Sequence, residues 1–441
     1  MTLFRTGGEH SKVIRDRLED ALARIRDPAG EGARVYLTLY PETARAEADA
    51  ADRRFRDGTT LGPLDGAIVS IKDLFDVAGE ATRAGSKTLE DAAPASADAP
   101  VVQRLRTAGA IIVGKTNMSE FAFTGVGANP HYGTPRNPAD RKRVPGGSSS
   151  GAAVAVADRL CEIAIGTDTG GSTRIPAALC GVVGFKPSKY RVPTRGAFPL
   201  SQTLDSVGPI AATVEDCATA DAVMAAEGPW LLDPVELRGL RFGVPQGLPL
   251  LDLDQTVERK FAASVAELDR AGARLSDVSL PLFDAMAKVN SVATIATVEA
   301  FQLHRERLVE RGDEVDPFIR TRIEMGSKVS AADYRKMLSE RSALARAMDL
   351  ALTEYDALVL PATPIVAPTM EDVSTPEGFK PRNRLLLRNT EFANFFDLCA
   401  ISLPMPGDGL PAGLMLFARR GEDRRLLRMA AAVEQLLRKG N

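Results

Sequence analysis

The chain has 441 residues and a formal net charge of -3. That length buries a large core and sets a soft expectation of two or three domains, while the near-neutral balance leaves no basic footprint for nucleic acid. No apolar run is long enough to span a bilayer, and the first residues turn charged at once (Arg5, Glu9, Lys12, Arg15), so neither a membrane span nor a signal peptide is expected. Cys161, Cys180, Cys217 and Cys399 are scattered in apolar surroundings without C-x-x-C or Cys/His metal spacing. They read as reduced, buried thiols of a cytoplasmic protein.

Residues 11–26 place Val13, Leu18, Leu22 and Ile25 at roughly helical spacing, with Ser11 available as the cap. A strand is expected at 35–40 and a charged, alanine-rich helix at 43–57, and the two helices are expected to pack on the outside of the core without a chemical role. Residues 67–71 alternate as a strand that delivers Lys72 at its end. A lysine there is either a solvated strand end or, pointing inward, a desolvated base, because burial lowers an ammonium pKa. A helix follows at 100–108, a strand at 110–113, then a turn into a short helix in which Phe121 and Phe123 suit a core. Residues 133–143 form a loop rich in Pro, Asn and charge.

The loop leads into V-P-G-G-S-S-S-G-A-A-V-A-V-A, and a second glycine-serine turn follows in G-T-D-T-G-G-S-T-R-I-P. Alone, G-G-S-S-S-G reads as a flexible linker. Here it runs without a break into small and β-branched residues at 152–156, the composition of a helix packed tightly on a sheet. Residues 162–165 form a strand that feeds the second turn, and Pro176 suits the first turn of the next helix. Ser172 therefore stands on a strand-to-helix connection, where backbone N–H groups are free to face a ligand. Flanking glycines let such a turn close sharply and converge its N–H groups on an anion, as a nucleophile with its own oxyanion hole requires.

Further along, 182–215 reads as strands and turns, 232–285 as strand-helix-strand, and 290–356 as long charged helices. A strand is expected at 357–361, a long polar loop at 367–388 and a closing helix at 422–438.

The motifs P-G-G-S-S-S-G, G-T-D-T-G-G-S-T-R-I-P-A and C-G-V-V-G-F-K-P, in that order, resemble the amidase signature family of serine amidohydrolases. Weaker matches near residue 70 and at 113–121, 358–364 and 409–416 extend the resemblance over nearly the whole chain. It implies one α/β domain over 1–441 with a mixed central β-sheet wrapped by α-helices, a catalytic core at about 60–215 and a less central lobe at about 230–350. It also implies an amidase acting on linear amides rather than peptide bonds, through an acyl-enzyme. Lys72 is then the general base, Ser148 the relay within a cis Gly147–Ser148 peptide, and Ser172 the nucleophile. Thr169, Gly170 and Gly171, with Ser172 itself, supply the oxyanion hole. Phe123, Thr124 and Gly125 wall the acyl pocket, while Ser149, Asp168 and Arg174 order the turn. The family commonly has glycine where Ser150 stands, a small departure.

No metal or cofactor is expected, and the expected partner is a small amide rather than nucleic acid or membrane. A homodimer stays open. Partner subunits enter only under the alternative reading, the glutamine amidase component of a tRNA-dependent amidotransferase. Other open substrates are aryl amides, short aliphatic amides and ureido acids such as allophanate. A negatively charged acyl group would call for an arginine, with Arg320, Arg322 and Arg388 as candidates. Gly147–Gly151 also matches the G-x-S-x-G elbow, which would make Ser149 the nucleophile and need a later histidine. Only His304 lies downstream, in F-Q-L-H-R-E-R, where it reads as a solvated surface residue. A catalytically dead family member is disfavoured by the joint presence of Lys72, Ser148 and Ser172.

Overall fold

β2 (Ile68–Lys72), β3 (Ile111–Thr116) and β4 (Ile163–Asp168) are buried from end to end, as parallel strands covered on both faces must be. They run side by side, with β2 between β3 and β4. Their pleats sort the side chains cleanly. Val69, Ile71, Ile112, Ile163 and Ile165 enter the larger apolar cluster, while Ile68, Ile111, Val113 and Ala164 enter the other. Lys72 has the parity of Ile68 and Ser70, which is the face on which the helix Ser150–Ala157 packs.

The structure is a computed structural model and describes residues 13–228 and 230–439. Beyond the parallel trio lie β1 (Tyr36–Leu39), β5 (Val183–Lys186), β6 (Ser206–Ala211), β7 (Arg241–Pro245), β8 (Arg274–Val278), β9 (Ala357–Pro361), β10 (Cys399–Pro404) and β11 (Gly413–Ala418). They join one mixed sheet of 11 strands in the order β1-β3-β2-β4-β6-β5-β10-β11-β9-β7-β8. A second parallel group, β9-β7-β8, forms its far end, and antiparallel pairs connect the two. Helices Ile14–Arg26 and Pro41–Arg56 join Ser150–Ala157 on one face. Helices Pro100–Thr107, Val214–Met224 and Asp423–Lys439 bury their apolar residues in the larger cluster. The chain is thus a single α/β domain.

Most expected elements are present with boundaries shifted by a few residues. The first helix begins at Ile14, and Ser11 lies outside the described residues. Three expectations need correction. Residues 376–388 form a helix rather than a loop, with Pro376 in its first turn and Phe379, Asn383, Leu386 and Leu387 buried. The final third supplies two central strands, β10 and β11, besides β9. His304 is fully buried, its ring tilted against that of Phe121 with centroids 4.1 Å apart and its Nδ1 2.6 Å from the Arg307 guanidinium. Burial lowers its pKa to about 3, with Arg307 adding to the effect, so it is a neutral core histidine.

Among the described residues no helix is long and apolar enough to cross a membrane. All four cysteines are free and buried.

Candidate active site

β2 and β4 end together, so Lys72, Thr167 and Asp168 meet at the carboxyl edge of the parallel strands, where α/β sheets commonly hold their ligands. Lys72 points inward with 0 % exposure. Its Nζ donates to Ser148 Oγ at 2.8 Å and to Thr167 Oγ1 at 3.0 Å. Burial lowers its pKa to about 7, against the upward pull of Asp168 and Asp205. At neutral pH a substantial fraction of this lysine is therefore an uncharged amine.

Ser148 lies just before the helix Ser150–Ala157, and the Gly147–Ser148 peptide is cis. Gly151 lets that helix approach closely, since a Cβ there would lie 2.7 Å from Asn117 O. The Ser149 N–H donates to Ser172 O at 3.3 Å, tying the two serine turns together, and Ser149 Oγ donates to Thr167 O at 3.4 Å. The Ser150 hydroxyl is buried with no hydrogen-bond partner. His304 packs on Phe121 and Phe198 rather than on Ser149, which removes the elbow's histidine.

Asp168 builds the second turn. Its carboxylate accepts from the N–H groups of Gly171 (2.8 Å) and Thr173 (3.1 Å), the Thr173 hydroxyl (2.9 Å), Arg174 Nε (3.0 Å) and Nη2 (2.9 Å), and Asn394 Nδ2 (2.9 Å). Burial alone would raise its pKa, but Arg174 by charge and hydrogen bonds, then Lys186 and Asn394, hold it well below the usual carboxylate range. Arg174 is itself fully buried and also donates to Thr390 O and Asn394 Oδ1, both at 2.8 Å. Thr390 Oγ1 donates to Gly170 O at 2.6 Å, fixing the turn from the far side. Gly171 has φ +134°, and a Cβ there would sit 2.1 Å from Thr390 Oγ1. One expectation changes here. The Gly171 N–H is committed to Asp168, so within the expected oxyanion set it orders the turn. Among the described residues nothing accepts from the N–H groups of Gly170 and Ser172.

Ser172, Thr169 and Gly170 line a narrow, partly open cavity. Phe123 and Thr124 belong to the same wall. Gly125 stands behind them. Its carbonyl accepts from the Gly147 N–H at 2.8 Å, and its N–H donates to Asn383 Oδ1 at 2.9 Å. Leu200, Leu204, Met286, Ile295 and Leu387 make the remaining wall largely apolar. Two charged groups stand out in it, Arg322 and Glu391. Arg322 lies 4.3 Å over the Phe123 ring and donates to Phe123 O at 3.0 Å, while burial lowers its pKa to about 10 against Glu391. Burial raises Glu391 to about 7, opposed by Arg322 and Arg384. Arg320 instead pairs with Asp313 and Glu324, and Arg388 donates to Leu251 O, so neither reaches the cavity.

The sequence reading missed Thr167, Asn394, Thr390 and Glu391. Thr167 sits inside the G-T-D-T-G-G-S motif, and Thr390, Glu391 and Asn394 recur at three- and four-residue spacing, a signal for one helical face.

The family model described as Amidase matches residues 18–427. The 2-amino-5-chloromuconic acid deaminase of Comamonas testosteroni is 36% identical, over 98% of this chain and 96% of its own. A glutamyl-tRNA(Gln) amidotransferase component from Chloroflexus aurantiacus, named as one of that enzyme's subunits, is 34% identical, over 95% of this chain and 92% of its own. A crystal structure described as an amidase superimposes with a TM-score of 0.88 at 35% identity, covering 97% of each chain.

Proposed function

The chain belongs to the amidase family, and we propose that it hydrolyses a carboxylic amide through an acyl-enzyme on Ser172. The observation that carries this reading is the buried Lys72 with its Nζ 2.8 Å from Ser148 Oγ, at the foot of the turn that presents Ser172. Neutral Lys72 accepts the Ser148 proton while Ser148 takes that of Ser172, and the freed Ser172 oxygen attacks the carbonyl carbon. The N–H groups of Gly170 and Ser172 receive the oxyanion. One such donor is worth about 10²–10³ in kcat in a comparable hole. Ser148 returns the proton to the leaving nitrogen, the C–N bond breaks, and water hydrolyses the ester by the same route. The products are a carboxylic acid and ammonia or an amine.

Within this reading Arg322 anchors an acidic acyl group. An arginine above the Phe123 ring, in a cavity otherwise mostly apolar, supports a short acid with an apolar middle. A relative named for an amino-substituted acid fits the same pocket chemistry. Ureido acids remain within the class.

The test is a panel of primary amides with and without a carboxylate, assayed as released ammonia with the purified chain, Ser172→Ala and Lys72→Ala. Turnover by wild type that both substitutions abolish is expected, and full activity in Ser172→Ala refutes the mechanism. The relative named as an amidotransferase component supports a second reading, a glutamine amidase that needs partner subunits. Silence on the whole panel, with glutaminase activity once partners are added, would select it.

A further inference from the structure

Asp205 stands just before β6, whose antiparallel register against β4 pairs Ser206 with Asp168. Carried one residue further, that register sets Asp205 against Thr169, which opens the turn that carries Ser172. Asp205 Oδ1 accepts from the Thr169 hydroxyl at 2.5 Å. Its other oxygen, Oδ2, accepts from the backbone N–H groups of Leu200 (2.9 Å) and Ser201 (3.1 Å). Both ends of this tie reach the cavity described above. Thr169 lines it beside Gly170 and Ser172, while Leu200 and Leu204 line it from the loop.

The loop is also held from outside. Glu299, on the helix Ile295–Arg311, accepts from the hydroxyls of Ser201 and Thr203, from the Thr203 N–H at 3.2 Å and from the Tyr334 hydroxyl at 2.5 Å. Lys189 Nζ donates to the carbonyl of Gln202 at 2.5 Å and to that of Asp205 at 3.1 Å. A carboxylate that served this loop alone would need only its Oδ2 bonds. The bond from Thr169 instead joins the loop to a different element, and a hydrogen bond to an ionised carboxylate belongs to the stronger class.

We propose that Asp205 is a positioning residue, which fixes the spacing between the wall that grips the acyl chain and the turn that presents Ser172. The inference rests on the acyl-enzyme reading above. Asp205 acts through Thr169 on one side and through the Leu200–Ser201 backbone on the other. An acyl chain seated against Leu200 and Leu204 then meets Ser172 at a set depth. A misplacement of about 1 Å between reacting groups can cost about a hundredfold in rate. The tie therefore shows in kcat and in the choice between acyl chains more than in KM.

The experiment uses the full chain, the best primary amide from the panel and analogues with shorter acyl chains. The variants are Thr169→Val, Thr169→Ser, Asp205→Ala and the double variant of Thr169→Val with Asp205→Ala. Thr169→Val keeps the shape but deletes the hydroxyl, and kcat is expected to fall about tenfold or more with KM within about twofold. Thr169→Ser keeps the hydroxyl and is expected to stay within about threefold of wild type. Asp205→Ala releases both ends, so kcat should fall at least as far, and the preference for the best acyl chain over shorter ones should shrink by about threefold or more. In the double variant the loss should match that of Asp205→Ala alone, because the bond is already gone. A bond that only stabilised the fold would lower the melting temperature and leave kcat and acyl preference unchanged, which overturns the proposal. An equal fall in Thr169→Ser, or losses that multiply in the double variant, also overturns it. If Asp205→Ala fails to fold, the two Thr169 variants decide. Failure of the underlying reading looks different, because wild type would then turn over none of the amides.

Discussion

Asp168→Asn tests how one carboxylate sets up the whole turn. In the wild type it is the counter-ion of fully buried Arg174, at 2.9 Å, and its charge also acts on the buried Lys72 and Lys186. The substitution keeps the shape but removes the charge, and the amide NH2 would face the arginine's own donors. Removing one partner of a buried ion pair costs about 3–5 kcal/mol, because the other charge is left uncompensated. Whole proteins are stable by only about 5–15 kcal/mol, so that is a large share. Denaturant unfolding at pH 7.5 is therefore expected to show a loss of that size. Asp168 is also the foremost charge holding the Lys72 pKa up, so in its absence the Lys72 pKa falls further below about 7. The folded variant should show the acid limb of kcat/KM displaced to lower pH, with a reduced plateau because one of the two acceptor oxygens that order the turn becomes an NH2 group. A variant as stable as wild type, or one whose acid limb stays in place, refutes this account of Asp168.

In the wild type, kcat/KM is expected to rise with unit slope up to about pH 7 and then level off, as neutral Lys72 becomes the dominant form. A limb near pH 5 or near pH 9 would contradict Lys72 as the base. The same shift acts on stability. Because the folded pKa of about 7 lies below the ordinary value of 10.5, the cost of burying the charged lysine is full below about pH 7 and fades as pH rises from there towards 10.5. Gly171→Ala, with φ +134° and a Cβ 2.1 Å from Thr390 Oγ1, is expected to destabilise the chain by about 1–3 kcal/mol and lower kcat by about a hundredfold, read by thermal unfolding and initial rates. Arg322→Lys keeps the charge but loses the planar stack on Phe123, so KM for a carboxylate-bearing amide should rise about tenfold with a smaller change in kcat. Equal losses on charged and uncharged amides would show that Arg322 only supports the wall.

The two glycine-serine turns were legible because their residue types constrain the backbone. Glycines beside serines, a strand ending in lysine and a helix of very small residues are each locally readable, and they converge on one edge of the sheet. What the sequence hid lies where tertiary packing overrides local signals. Pro376, Gly378 and Pro381 suggested a loop, yet Pro376 fits a first turn, and Phe379, Asn383 and Leu386 keep helical spacing that outweighs the breakers. β10 and β11 are short apolar runs that periodicity alone does not separate from buried helix. His304 looked solvated among charges, but Thr297, Ala300 and His304 form a buried stripe on their helix. Arg322 and Glu391 could not be placed because they come from distant segments that meet only around the cavity.

The central claim is that Ser172 carries the acyl group. Rapid acid quench during turnover of the preferred amide, then proteolysis and mass spectrometry, tests it directly. The account predicts the acyl mass on the peptide containing Ser172, at Ser172 itself, with no label in Ser172→Ala. An adduct on Ser148 or Ser149, or on Ser172→Ala, would contradict it.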